Sequence, residues 1–174
     1  MNADISLLRD FIQTYGLYLQ VVAFVAYVIY AKQRSAFFYC LLLVIIIAPI
    51  HLLLENQLLH LAENPDNNRL VYNGWYLGYA YTDALLVILA IYLCKTRALI
   101  IDSVSRMIMI SYFCLGMVQL IRYFDRVILE SDKLGDVYSI IVPTINVSVT
   151  VLVCVYVVYF ISNGMYQNKK RAKH

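Results

Sequence analysis

A five-helix, all-α integral membrane bundle is the fold the sequence predicts, and three observations predict it. The 174-residue chain is 62% hydrophobic and only 14% charged, far too apolar for a soluble domain of its size. Five apolar runs of about 18 or more residues with few charges divide it, each long enough to cross a hydrocarbon core as a helix. Little sequence remains for loops, so residues 1–163 read as one transmembrane domain and 164–174 as a basic cytoplasmic tail.

The first run, 11–31, follows the slightly acidic leader MNADISLLRD. A cleaved signal peptide opens with a basic segment and a short apolar core, so this run reads as a helix of the mature protein. Gln13, Gln20 and Tyr27 fall on one line of its helical wheel, with Gly16 and Ala23 beside it. An amide in hydrocarbon is costly unless bonded, so that line is expected to face other helices as interhelical glue. The second run, 37–54 and extending toward His60, starts as LLLVIII and changes character at Pro49, which leaves the carbonyl of Ile45 without its usual donor. His51 and Glu55 follow, one turn apart on one face. Two such residues fall short of the three ligands a metal site needs, so they read as a pair bonded to each other where the helix leaves the membrane. The segment ENPDNNRL after them is a solvated turn.

The third run, 74–94, has two faces. Gly74, Gly78 and Thr82 form a small-xxx-small ridge for close helix packing. Turned away from it, Tyr72, Tyr76 and Tyr79 descend to Asp83, and an intramembrane acid is a functional-site candidate. The fourth run, 107–124, carries Ser111, Gln119, Arg122 and Arg126 along one side. Arginine keeps its proton, so it needs a partner or must reach the headgroups. An Asp83–Arg122 ion pair is the most specific contact expected, with outward snorkelling of Arg122 the alternative. The fifth run, 138–161, places Ser139, Pro143, Asn146 and Thr150 on one face. Cys40, Cys94, Cys114 and Cys154 lie within the runs without CxxC spacing and read as small buried hydrophobes.

Basic residues choose the orientation. Lys32 and Arg34, then Lys95, Arg97 and Arg106, then Lys169, Lys170, Arg171 and Lys173 fall on one side of an odd number of spans. The other side carries Arg9, Arg69, Arg126 and Lys133 against a larger set of acids. The positive-inside rule then puts the N-terminus outside and the C-terminus in the cytoplasm, in the plasma membrane, which for a bacterium is the inner membrane.

Converted to depth, Gln20, His51, Asp83, Gln119, Arg122 and Asn146 gather in the outer half, while the inner halves are nearly free of strong polar groups; with Glu55, Tyr76 and Tyr79 they are the candidate ligand- or ion-binding residues. This predicts a polar cluster reached from outside and sealed toward the cytoplasm. A pore needs wettable lining throughout, and an alternating-access carrier normally shows an inverted repeat; neither is present. The function expected is binding of a small ligand, an ion or a partner helix, as a sensor, accessory subunit or transport component. Two alternatives stand beside it. One is an intramembrane enzyme acting on a lipid headgroup with Asp83, His51 and Glu55, against which no nucleophile elbow, HExxH or paired-aspartate motif is present. The other is a proton-coupled carrier titrating Asp83. No cofactor or metal is expected: one well-placed histidine cannot supply two haem ligands. The expected partners are the lipid bilayer and a second copy or another membrane protein. Nucleic acid is excluded, because no basic face is interleaved with aromatics.

Overall fold

The computed structural model describes residues 3–31 and 34–171, with side chains described over 15–31 and 34–164. Among the described residues the chain is all-helical and contains no strand. Five α-helices follow one another: α1 (Ala3–Tyr30), α2 (Ala36–Leu61), α3 (Asn68–Thr96), α4 (Ser103–Tyr123) and α5 (Gly135–Arg171). A short 3₁₀ turn, Pro65–Asn67, leads into α3, and a π-helical turn, Phe124–Ile128, ends α4. Four of the helices are long and apolar enough to cross a membrane, and the described apolar stretch of α1, Tyr15–Tyr30, is shorter. Gln13 lies outside the described side chains.

Local chemistry explains the helix starts. Ser35 caps α2, its hydroxyl accepting from the Phe38 amide at 3.3 Å. Asp102 caps α4, accepting from the Ser105 amide at 2.9 Å and from its hydroxyl at 2.6 Å. Asn64 caps the 3₁₀ turn by accepting from the Asp66 amide at 3.0 Å. The helices run past the expected apolar spans: α2 continues through Pro49 to Leu61, and α3 begins at Asn68 instead of near residue 74. Apolar run length marks only the stretch suited to hydrocarbon, and a helix with polar ends extends beyond it.

The helices close into a ring in the order α1, α2, α3, α4, α5 and back to α1, with α2 also touching α4. Gln20 lies beside Thr150, and Tyr27 lies beside Phe160. Both sequences advance together, so α1 and α5 are parallel neighbours. Two ends result. The distal end carries the connections 62–67 and 129–134, and the proximal end carries 97–102 together with the end of α1 at Tyr30 and the start of α2 at Ala36.

The proximal half is filled. Phe37, Cys40, Leu41, Val44, Leu86, Ala90, Ile108 and Val153 are fully buried there. Tyr27 stands edge-on to Phe37, with ring centroids 4.9 Å apart, and Phe37 meets Tyr156 at 4.5 Å, tying α1, α2 and α5 together. The Tyr27 phenol satisfies its hydroxyl against Ser35 Oγ at 2.7 Å. The distal half is packed differently, around polar side chains.

Candidate functional site

The distal half of the ring encloses a cavity of about 540 Å³ to which all five helices contribute. Gln20, His51, Glu55, Tyr79, Asp83, Gln119 and Asn146 line it. These are seven of the nine side chains that the helical wheels and depths single out, so residues spread over the chain meet at one place. Tyr76 is buried outside the lining, and so is Arg122.

The small-residue ridge of α3 sets the position of the cavity wall. A Cβ added at Gly74 would meet Leu58 Cδ2 at 2.6 Å, and one at Gly78 would meet Leu54 Cδ2 at 2.8 Å. α3 therefore approaches α2 closely along this face, as small-xxx-small spacing permits. One turn further, Thr82 meets His51: Nε2 and Oγ1 are 2.6 Å apart. The Thr82 hydroxyl also points back at the carbonyls of Gly78 and Tyr79, at 3.1 and 3.0 Å. With its hydrogen spent there, Thr82 accepts from His51 Nε2–H, an assignment made from the network. The Tyr79 phenol donates to the His51 carbonyl at 3.4 Å, and its ring packs 4.6 Å from the imidazole. The expected His51–Glu55 bond is thus replaced by a His51–Thr82 bond, because the α2–α3 approach brings a hydroxyl onto the imidazole nitrogen.

Two further bonds join helices around the cavity. Gln20 Nε2 donates to Thr150 Oγ1 at 2.9 Å, linking α1 to α5 as the glutamine line on α1 anticipates. The Tyr138 phenol donates to Gln119 Oε1 at 2.8 Å, linking α5 to α4. Ser139, Pro143, Asn146 and Thr150 all line the cavity, so the polar face of α5 is turned into the ring.

Asp83 stands apart from these satisfied groups. It is 2% exposed, and its Oδ1 has no hydrogen-bond partner. His51 Nε2 lies 3.8 Å from that oxygen, beyond hydrogen-bond range. The expected Asp83–Arg122 pair does not form. Arg122 bonds instead to Asp125 and Asp132, and Arg126 Nη1 reaches Asp132 at 3.2 Å. Asp125 in turn accepts from the Ser131 hydroxyl and from the Leu134 amide, the latter at 3.1 Å. The π-helical turn and the return of the chain at Glu130, whose φ is +50°, bring both acids under the guanidinium. An added Cβ at Gly135 would meet Asp132 Oδ1 at 3.0 Å and Arg122 Nη2 at 3.3 Å, so the start of α5 passes against this cluster. The result is an ionic clamp between the end of α4 and the connection leading into α5, at the distal end. Arg126 extends it to α3: Nη2 donates to the Tyr72 hydroxyl at 3.4 Å, and the guanidinium carbon lies 5.3 Å from the ring centroid. The tyrosine ladder continues from there, with Tyr76 stacked on Tyr72 and edge-on to Tyr138.

Three aromatic lining residues were not anticipated: Trp75, Tyr112 and Tyr138. Their spacing carried the signal. Trp75 lies four residues before Tyr79, and Tyr112 seven before Gln119, each on the face of a residue already singled out. Tyr138 precedes Ser139. No group of three or more His, Cys, Asp or Glu suited to a metal ion occurs among the described residues. Comparisons with protein-family models, curated proteins and solved structures return no match for this chain.

Proposed function

We propose that the chain is a non-enzymatic integral membrane protein of five spans, distal end outward, that binds a small ligand in its distal cavity. As a binding component it would serve sensing, an accessory role or transport. The observation that carries this reading is the convergence of seven polar and aromatic candidates from five helices on one cavity. Its volume lies within the range of about 300–1,000 Å³ usual for small-molecule sites. An isolated polar cluster serving only to glue helices would pair its members. Here the Asp83 carboxyl lines the cavity with an oxygen unbonded.

Two features weigh against the alternatives. The proximal half is closely packed with apolar side chains, which leaves a carrier no second way out. His51, the base an enzyme would call on, is engaged with Thr82.

Cysteine scanning tests the reading in right-side-out vesicles, with the native cysteines replaced by alanine. Asn146→Cys, in the cavity, should react with a membrane-impermeant maleimide, and Val153→Cys, in the apolar core, should not. Equal inertness of both sites would mean that the distal cavity is closed to the aqueous phase, and the binding reading would fall.

A further inference from the structure

The lining of the cavity has a definite charge and a definite surface. It contains two carboxylates, Asp83 and Glu55, and neither lysine nor arginine. Trp75, Tyr79, Tyr112 and Tyr138 supply aromatic wall. Arg122 lies outside the lining and is matched by Asp125 and Asp132. An anionic ligand would meet two carboxylates and no cation, and a neutral one would leave them uncompensated in an apolar setting. A cation, by contrast, gains from the carboxylates and from the ring faces together, the recognition chemistry of aromatic ammonium sites.

Asp83 narrows the class further. Its Oδ1 is deeply buried, accepts no hydrogen bond, and belongs to a residue lining the cavity. His51 cannot reach it from 3.8 Å and already donates elsewhere. Once ionised the carboxyl accepts only, so the partner that would hold it ionised is a donor. An ammonium group bearing at least one N–H brings both the donor and the charge, which makes the bond charge-assisted. Inorganic cations would use the carboxylates but leave the apolar and aromatic walls idle. Leu17, Leu52, Leu115 and Val142 line the remaining space, which suits an apolar body attached to the amine. We propose that the distal cavity binds a small protonated amine, its N–H directed to the Asp83 carboxylate, its charge shared with Glu55 and the aromatic rings, and its apolar body in the rest of the cavity.

This rests on the ligand-binding reading of the cavity, and the test separates the two. Trp75 is the protein's single tryptophan and lines the cavity, so its fluorescence reports occupancy at this site. The protein in nanodiscs is titrated with phenethylamine and three analogues of similar shape: phenethyltrimethylammonium, phenethyl alcohol and hydrocinnamate. Phenethylamine should give a saturable change at a concentration at least roughly tenfold below the alcohol and the carboxylate, as one charge-assisted bond of about 1.4 kcal/mol or more requires. The trimethylated analogue keeps the charge but lacks N–H and should bind more weakly than the amine. Asp83→Asn should remove at least the same factor for the amine, and Glu55→Gln a smaller one.

If the alcohol or hydrocinnamate saturates as well as the amine, or Asp83→Asn leaves the amine's affinity unchanged, the amine assignment is overturned while a ligand cavity stands. Equal binding of the trimethylated analogue overturns the donor role given to the amine N–H. Absence of a saturable response to all four probes overturns the cavity reading itself.

Discussion

Asp83 and Arg122 are both buried charged side chains in the distal half of the ring, and the fold treats them oppositely. Both terminal nitrogens of Arg122 bond acids from its own helix end and from the turn that follows, leaving only its Nε unbonded, whereas Asp83 has no ionic partner within hydrogen-bond range and an unbonded oxygen. Arg122→Gln should therefore cost roughly 3 kcal/mol, because it strips a buried Asp125 of its cation. Asp83→Asn should stay within about 1 kcal/mol of wild type or rise above it, since no protein donor is lost. Thermal unfolding of both variants in detergent checks the contrast, and a large loss in Asp83→Asn would mean that the carboxyl is structurally satisfied after all. The clamp also carries a pH signature. The Arg122 guanidinium, hydrogen-bonded to Asp132, holds that carboxyl below the usual carboxylate range. A carboxyl depressed in the folded state stabilises the fold at neutral pH. It loses that contribution as pH falls from about 4 through its depressed folded-state value. In the same unfolding series, Asp132→Asn should lower stability at neutral pH and flatten the acid limb relative to wild type, with the two curves converging in strong acid.

At the scale of the element, α3 decides the geometry of the site, because its ridge sets the distance to α2 and its other face supplies Asp83 and Tyr79. In a bilayer, where no hydrophobic drive acts between helices, such contact would rest on close packing. Gly78→Ala brings a Cβ against a leucine methyl that can rotate away, and alanine favours the helix, so the two effects should nearly cancel. Gly78→Leu cannot be absorbed in this way. It should destabilise by about 1–3 kcal/mol and lengthen the His51–Thr82 bond, visible as loss of thermal stability together with a shifted imidazole resonance. A stable Gly78→Leu variant with an unchanged His51 signal would show that the ridge does not set the α2–α3 distance. The ridge, the tyrosine ladder and the α5 polar stripe were legible in the sequence because helical periodicity fixes which residues share a face and at what depth. Partner identity was not. His51 chose Thr82 over Glu55 because two small residues let α2 and α3 close up. Arg122 chose Asp132 because the chain turns back through Glu130, a positive-φ position without the glycine or asparagine that would have announced it.

At the scale of the molecule, the two ends of the ring differ in charge as the two halves differ in packing. The proximal end exposes Arg34, Lys95, Arg97 and Arg106, and the distal end exposes Glu63, Asp66, Glu130 and Asp136 along with Arg69 and Lys133. An excess of lysine and arginine in short connections keeps those connections on the cytoplasmic side during insertion. The filled proximal half would then seal the cytoplasmic side, and the cavity would draw its ligand from outside. This orientation has a direct readout on the cysteine-free background. Asn64→Cys, in the distal connection 62–67, should be labelled by an impermeant maleimide on intact cells. Ile100→Cys, exposed in the proximal connection 97–102, should be labelled only after permeabilisation. The reverse pattern would place the cavity on the cytoplasmic face and make any ligand an intracellular one. Labelling of both positions on intact cells would mean that the chain inserts both ways, in which case the basic connections are too weak a determinant to fix the side from which the cavity is reached.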